Sequence, residues 1–112
     1  MAIVVKTDQP RALLSAIRAA IDNGAIETWS YDADGDFTHT PAQWKHKAWL
    51  RPSIADGDLI FTTVAPQKTA MTKAVYAVYH GRFIEMLLRH FDVSFSVARA
   101  TALPSHGDSV GS

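Results

Sequence analysis

The sequence predicts an α+β domain in which two helices lie on one face of a mainly antiparallel sheet. Two stretches, residues 10–23 and 82–91, repeat apolar residues at helical spacing. Short β-branched or alternating stretches before, between and after them predict strands. An Asp-Gly pair at 34–35 predicts a hairpin, and therefore antiparallel neighbours. The nearest familiar plan is ferredoxin-like, a split β-α-β arrangement, with an extra hairpin.

The length and composition are those of one globular domain. The chain has 112 residues, of which 47% are hydrophobic and 20% are charged. A chain of this length can form a single core without disulfides or a structural metal. We expect the domain to cover residues 1–103. Residues 104–112 are small and polar, and we expect them to form a disordered tail.

The net charge disfavours some classes of partner, and the cysteine content excludes some kinds of site. Eleven basic and eleven acidic residues give a net charge of zero, which disfavours nucleic acid and is compatible with a homodimer. The absence of cysteine excludes disulfides, thiolate nucleophiles and cysteine metal sites. No signal peptide is visible, and no apolar run approaches the ~20 residues of a membrane helix. We expect a cytoplasmic protein without a membrane partner.

The N-terminal third begins with a strand and a helix. Residues 3–5 form a β-branched run that predicts a short strand. Thr7 or Asp8 would cap the following helix, and Pro10 suits its first turn. Asn23 and Gly24 would end the helix, because both tolerate the left-handed conformation of a helix C-terminus.

The middle of the chain predicts a hairpin and then an ambiguous segment. Strands at 26–31 and 36–40 would join through a type I′ turn, with Phe37 facing Trp29 or Tyr31. Residues 41–50 favour a helical turn, with an irregular segment that enters a strand at Trp49 as the alternative. Residues 51–57 contain Pro52 and an Asp-Gly pair, which predict a loop.

The C-terminal half predicts two strands, a helix and a last strand. A strand at 59–64 is followed by a loop at 66–72. Residues 74–79 alternate, with Val75, Ala77 and Tyr79 on one face, and predict another strand. Gly81 would break this strand, and the helical stripe would begin at Arg82 and end at 91. The last strand is expected at 93–102.

The acidic turn at 32–36 resembles a calcium loop only superficially. An EF-hand loop that starts at Asp32 needs Gly at its sixth position and Glu at its twelfth. Those positions hold Phe37 and Gln43. A solvated hairpin turn is the preferred interpretation, and we expect no tightly bound metal and no cofactor.

The five histidines show no local metal-binding spacing. Neither H-x-H nor H-x-x-x-H occurs, so a metal or catalytic site would require convergence in space. His39, His80 and Asp36 are the side chains that strand ends and the hairpin would bring to one edge. They support an alternative hypothesis, a small metal-assisted or His/Asp-assisted hydrolase near His39 and His80. Structural histidines are the preferred interpretation.

The residues around Gly81 predict an anion site. If a helix starts there, its first backbone N–H groups are unpaired and attract anions. The candidate residues are His80, Gly81, Arg82 and Glu85. Since every helix start has this property, the competing interpretation is a simple strand–helix junction.

An aromatic run between residues 29 and 49 is the second candidate region. It holds the candidate interaction residues Trp29, Tyr31, Phe37, Trp44 and Trp49. Three interpretations remain open: core packing, a protein interface, or stacking of single-stranded bases. Zero net charge disfavours the last.

No nucleophile or phosphate-loop motif occurs in the sequence. The leading hypothesis is therefore a small interaction or ligand-binding module. Its predicted partner is a second copy of the chain or another protein.

Overall fold

A computed structural model describes residues 1–104 and 107–110. These residues form a six-stranded sheet and two helices. In chain order the elements are β1 (Ala2–Lys6), α1 (Pro10–Asp22), β2 (Trp29–Tyr31), β3 (Phe37–His39), β4 (Trp49–Ala55), β5 (Asp58–Val64), α2 (Lys73–Phe91) and β6 (Val97–Ala100). The predicted α+β class is confirmed.

The sheet is antiparallel throughout, in the order β2-β3-β4-β5-β1-β6. The strand β1 lies between β5 and β6, with Ile3 opposite Phe61 on one side and opposite Ala100 on the other. The longest ladder joins β4 and β5 from the Trp49–Val64 pair to the Ala55–Asp58 pair. The edges of the sheet are β2 and β6.

The core lies between one face of the sheet and the helices. Phe37 and Phe61 are fully buried on this face, and both rings contact Phe83 of α2. The guanidinium of Arg18, in α1, lies 5.8 Å from the centre of the same Phe37 ring. Side chains of both helices therefore meet at one phenyl ring. The remaining buried apolar residues join this cluster and include Ile3, Val5, Leu13, Ile17, Leu50, Leu59 and Leu87.

Helix α1 ends at the predicted residue, but its N-cap differs from the predicted one. Its N-cap is Gln9, which makes no side-chain capping bond. Thr7 instead accepts a hydrogen bond from the Gln9 N–H at 3.1 Å, and Asp8 is exposed. The prediction that Thr7 or Asp8 occupies the N-cap is wrong by one or two positions. Asn23 is the C-cap, as predicted.

The β2–β3 hairpin forms, but its predicted turn type is wrong. Tyr31 pairs with Phe37, and the N–H of Asp32 donates to the oxygen of Asp36 at 3.0 Å. A type I′ turn needs positive φ at two successive residues. Gly35 has a φ of +85°, whereas Asp34 is not in this region. The loop is therefore longer by one residue, and only glycine occupies the left-handed conformation.

The segment that follows combines both predicted alternatives. The N–H of Lys45 donates to the oxygen of Pro41 at 2.9 Å, which is a helical-turn contact. The chain then enters β4 at Trp49. The predicted loop at 51–57 is wrong, because β4 continues to Ala55 along its ladder with β5. Only residues 56–57 form the turn. In the described residues, β4 pairs with β3 only at Phe37–Leu50. Beyond that pair this side of β4 is an edge, where Pro52 is tolerated because a proline has no N–H to donate.

The predicted strand at 74–79 is wrong, because residues 73–91 form one helix. Thr72 caps it by accepting a hydrogen bond from the Val75 N–H at 3.2 Å. Val75, Tyr79, Phe83 and Leu87 recur every fourth residue and pack into the core. Positions 75 and 79 fit the alternation of a strand and the spacing of a helix equally well. Packing against the sheet selects the helix.

Residues 107–110 lie beside β5. The N–H of Ser109 donates to the Thr63 oxygen at 2.8 Å, and Ala65 donates to the Ser109 oxygen. Residues 107–110 of the expected tail thus contact the sheet, while residues 105–106 and 111–112 lie outside the described part. The boundary at residue 103 stays a prediction. In the described residues, no helix combines the length and apolar character that crossing a membrane requires.

Candidate functional site

A cleft of about 550 Å³ lies between the β2–β3 hairpin and the C-terminal half of α2. Its size falls within the range of small-molecule sites. The hairpin and the residues before it form one wall, residues 41–44 form the rim, and one stripe of α2 forms the other wall. Its lining includes Thr28, Trp29, His39, Trp44, Arg82, Glu85 and Arg89.

His39 lies at the bottom of this cleft and is 4% exposed. It pairs with Trp29 across the hairpin, and the two ring centres are 4.5 Å apart with an interplanar angle of 33°. The ring of Tyr79 meets His39 edge-on at 6.0 Å. These contacts hold the imidazole on both sides and fix the direction of its nitrogens.

The hydrogen bond of His39 assigns its tautomer. Nδ1 lies 2.7 Å from the backbone oxygen of Thr28. A carbonyl only accepts, so Nδ1 carries the hydrogen in the neutral ring and Nε2 keeps its lone pair. Within the described residues, Nε2 of His39 has no hydrogen-bond partner. It is also not one of the fully buried polar atoms that lack a partner, so it is accessible from the cleft. This nitrogen therefore remains available to a ligand in the cleft.

Burial lowers the pKa of His39 below its ordinary value of 6.5. The Thr28 hydrogen bond opposes this shift, and the charge of Arg82 supports it. A neutral imidazole at physiological pH can accept a hydrogen bond, take up a proton or bind a metal. Of these, the structure favours hydrogen-bond acceptance, because no other metal-ligating side chains of the described residues cluster around His39.

The α2 wall carries charges of both signs. Arg82, Glu85 and Arg89 are three or four residues apart and therefore lie on one face of the helix. Arg82 and Glu85 form a loose ion pair of 3.8 Å, and both side chains are mostly exposed. This wall therefore provides polar anchoring without a strong preference for an anion.

The anion site predicted around Gly81 loses its geometric basis. Residues 80–82 lie in the middle of α2, where backbone N–H groups donate within the helix. His80 is buried, whereas Gly81 is exposed. Arg82 and Glu85 do line a cleft, but they do so through side chains opposite His39. Any anion-binding role of the four residues stays a prediction.

The structure does not assemble His39, His80 and Asp36 into one site. His80 Nδ1 lies 2.6 Å from the Tyr76 oxygen, and its Nε2 lies 3.4 Å from Thr63 Oγ1. Burial lowers the pKa of His80 as well. The carboxylate of Asp36 accepts two hydrogen bonds from Arg51, at 3.0 and 3.3 Å. The three side chains thus have separate partners.

The five predicted interaction residues divide into two groups. Trp29 and Phe37 are 2% and 0% exposed and belong to the core. Tyr31, Trp44 and Trp49 are half-buried. The two buried rings offer no surface to a partner in this conformation, because the helices cover them. An interaction role for the three half-buried rings stays a prediction.

Each half-buried ring has its own neighbours. Tyr31 bonds through its hydroxyl to Asp22 at 2.8 Å. Trp49 stacks on His46, with ring centres 6.1 Å apart. Trp44 lines the cleft that contains His39.

A larger cleft of about 820 Å³ lies near the start of α1. It is lined mainly by residues 6–9, 12–13 and 93–96. Its titratable side chains are Lys6 and Asp8, which are exposed. This cleft lacks a buried acid–base group, so it is the weaker candidate for a functional site.

The carboxylates of Asp32, Asp34 and Asp36 lie within 4.8 Å of one another. Asp32 Oδ1 accepts the N–H groups of Asp34 and Asp36 at 3.0 Å each. The cluster therefore closes the hairpin turn and is partly neutralised by Arg51. Exposed acidic turns commonly have this form without a metal.

Comparisons with protein-family models, characterised proteins and solved structures give no significant match for this chain.

Part of the cleft could be found in the sequence. The spacing of Arg82, Glu85 and Arg89 predicts one polar helix face, and His39 and Trp29 are predicted on the hairpin. The sequence does not reveal that this helix face stands opposite the hairpin. The role of the Thr28 carbonyl is also invisible, because backbone groups have no sequence signature.

Proposed function

We propose that this chain is a ligand-binding module whose ligand occupies the cleft at His39. The observation that carries the proposal is the Nε2 atom of His39, which is held in a buried ring by the Thr28 carbonyl and has no partner among the described residues. A fixed acceptor at the bottom of a cleft is typical of binding sites, which combine apolar walls with a few oriented polar groups.

The chemistry of the walls indicates the class of ligand. The half-buried ring of Trp44 offers apolar surface for a flat molecule. Nε2 requires that the ligand donate a hydrogen bond. The lining holds two acidic side chains, Glu27 and Glu85, and two arginines, Arg82 and Arg89, so the ligand need not be strongly charged. We therefore propose a small planar molecule with an N–H or O–H donor.

The test compares indole with N-methylindole, which has the same ring system but no donor. The ¹⁵N-labelled chain is titrated with each probe, and amide shift changes are followed by NMR. We expect indole to perturb residues that line the cleft and to bind about fivefold more tightly than N-methylindole, since one buried hydrogen bond contributes about 1 kcal/mol.

The variant His39→Phe keeps an aromatic ring and removes Nε2. In this variant we expect the two probes to bind equally. His46→Gln removes an exposed imidazole outside the cleft and is the matched control. Equal binding of both probes by the unmodified chain, or shift changes confined to other surfaces, would contradict the proposal.

A hydrolytic enzyme is the second candidate function. It is favoured by the same Nε2 atom, which can act as a general base when burial keeps the imidazole neutral. Hydrolysis of p-nitrophenyl acetate tests it. A rate above that of buffer that disappears in His39→Phe would support it, and no excess rate would exclude this activity.

We also propose that the topology is ferredoxin-like with one inserted hairpin. When β2 and β3 are set aside, the order β4-β5-β1-β6 remains, and the helices follow β1 and β5. That order supports two interleaved β-α-β units. An experimental structure in which both β-α-β crossings are right-handed would agree, and a left-handed crossing would contradict it.

We further propose a cytoplasmic homodimer. Zero net charge and a cysteine-free sequence support this view. A second copy or another protein is the proposed partner, rather than nucleic acid or a membrane. Sedimentation of the purified chain and fractionation of its source cells test the two parts separately.

A further inference from the structure

We propose that two copies of this chain pack face to face through the outer face of the sheet. The outer face is defined by Val4, Lys6, Arg51, Ser53, Ile60 and Arg99. This inference rests on the homodimer proposed above and is independent of the cleft at His39.

The strand registers place these side chains on the face opposite the core. Phe61 pairs with Ile3 and Pro52, and its ring contacts α2. Because successive residues of a strand point to opposite sides, Ile60 and its partners Val4 and Ser53 lie on the other side. Arg99 lies opposite Val4 and therefore shares this face.

Four of the six residues that define the outer face, Lys6, Arg51, Ser53 and Arg99, are exposed, and Val4 and Ile60 near its centre are half-buried. Among the described residues after the last strand, Gly107 lies against Thr62 and Ser109 pairs with Val64, so residues 107–110 lie at the Thr62–Val64 end of β5. In the described residues both helices contribute core side chains on the opposite face.

The charges on the outer face are separated to its two ends. Asp32, Asp34 and Asp36 cluster at the β2–β3 turn, and only one cation, Arg51, pairs with them in the described part of the chain. At the opposite end, in the edge strand β6, Arg99 forms no ion pair with a described residue. One end is thus net negative and the other carries an uncompensated positive charge.

The two ends lie at similar heights along the strands. The registers align Arg99, Val4, Ile60 and Ser53 in one row across the sheet. Phe37 pairs with Leu50, and the chain before Phe37 runs antiparallel to β4 toward Ser53. The acidic turn therefore continues the same row beyond β4.

A dimer with a two-fold axis parallel to the strands would pair the positive end of each copy with the negative end of the other. Such an axis reverses the strand order between copies, so β6 of one copy faces the β2–β3 turn of the other. Sheets pack ~10 Å apart, a gap that an arginine side chain can bridge to a carboxylate. The two symmetric Arg99–Asp34 contacts would flank a centre formed by Val4 and Ile60.

The area of the face is sufficient for a weak dimer. The six strands hold 29 residues in total. At about 3.4 Å per residue and a strand spacing of about 4.8 Å, they cover on the order of 470 Å² per copy. The two copies together would bury less than the ~1,200 Å² at which standard interfaces begin, which is the size of a transient contact. We therefore expect dissociation at micromolar concentration.

Sedimentation equilibrium across a concentration series tests the proposal with charge-swap variants. Arg99→Glu and Asp34→Arg should each weaken the dimer at least tenfold, because each places like charges together. The double variant, Arg99→Glu with Asp34→Arg, should restore association. Arg11→Glu makes the same charge change at an exposed position of α1 and is the matched control. Circular dichroism establishes that each variant is folded.

Cross-linking gives an independent measurement, because the natural chain has no cysteine. A bis-maleimide reagent that spans about 10 Å should link Arg99→Cys mixed with Asp34→Cys, whereas it should not link Arg11→Cys mixed with Asp34→Cys. A chain that stays monomeric at high concentration would overturn both the dimer and this interface. A dimer that is insensitive to Arg99→Glu would overturn the interface alone, and neither result bears on indole binding.

Discussion

The hydroxyl of Tyr79 donates a hydrogen bond to the backbone oxygen of Trp44 and lies 3.1 Å from Thr38 Oγ1. This contact joins the second helix to the segment between β3 and β4. Thr38 in turn donates to the oxygen of Ala48 at 2.9 Å, so one hydroxyl pair holds the middle of that segment and its end before β4. The rim of the His39 cleft is held in place through these bonds.

Tyr79→Phe should destabilise the fold by about 1–3 kcal/mol, because the Trp44 carbonyl loses its buried partner while the ring keeps its packing. Urea unfolding measures the change. Tyr76→Phe is the matched control, since Tyr76 is a half-buried residue of the same helix whose hydroxyl has no hydrogen-bond partner among the described residues. Equal effects of the two changes would contradict the assigned role of Tyr79.

Gly81→Ala should stabilise the fold by roughly 0.5–1 kcal/mol, because glycine inside a helix costs about that much relative to alanine. Gly81 is an exposed residue of α2, and an added Cβ would meet nothing within 4 Å. Thermal unfolding tests this prediction.

Gly35→Ala should have the opposite effect on stability. Gly35 has a φ of +85°, and an added Cβ would approach Arg18 Nη2 to 2.7 Å. We expect this variant to be destabilised. Destabilisation by Gly81→Ala instead would indicate that residues 73–91 do not form one continuous helix.

The stability of the fold should decrease as the pH falls from about 7.5 to about 5.5. Burial lowers the pKa of both His39 and His80 from the ordinary 6.5. Below that value the unfolded chain binds protons that the folded chain resists, so acid favours unfolding. Above it both states hold neutral histidines, and this contribution is complete.

Urea unfolding at several pH values measures this dependence. His80→Gln should reduce the slope of unfolding free energy against pH. The groups that act on His80 are the N-terminal ammonium, Asp108, and the carbonyls of Tyr76 and Met1. A stability that is flat across this interval would refute the prediction.

Purified protein should contain no stoichiometric metal, and calcium should leave its unfolding temperature unchanged. The cluster of Asp32, Asp34 and Asp36 already accepts two backbone N–H groups and the Arg51 guanidinium. A cation would have to compete with the Arg51 guanidinium for this cluster. Elemental analysis together with melting curves in calcium and in EDTA measures the outcome, and about one metal ion per chain would overturn the prediction.

Arg51→Gln provides the comparison for that experiment. Removing the guanidinium leaves the three carboxylates repelling one another, so we expect lower stability. Any response to calcium should appear first in this variant, because the competing cation is gone.

The sequence by itself determined the elements whose signals are local. The apolar stripe of 10–22, the Asn23 cap and the turn at Gly35 depend on neighbouring residues, and each appears where predicted. The α+β class follows from the same signals.

Only the tertiary structure decided the rest. Residues 74–80 satisfy the period of a strand and of a helix, and Phe83, Phe37 and Phe61 select the helix by burying its stripe. The loop expected at 51–57 became a strand because β5 pairs with it. The cleft depends on His39 and Arg82, which are 43 positions apart in the chain. Such contacts carry no local pattern, because they arise when separate elements compete to bury the same core.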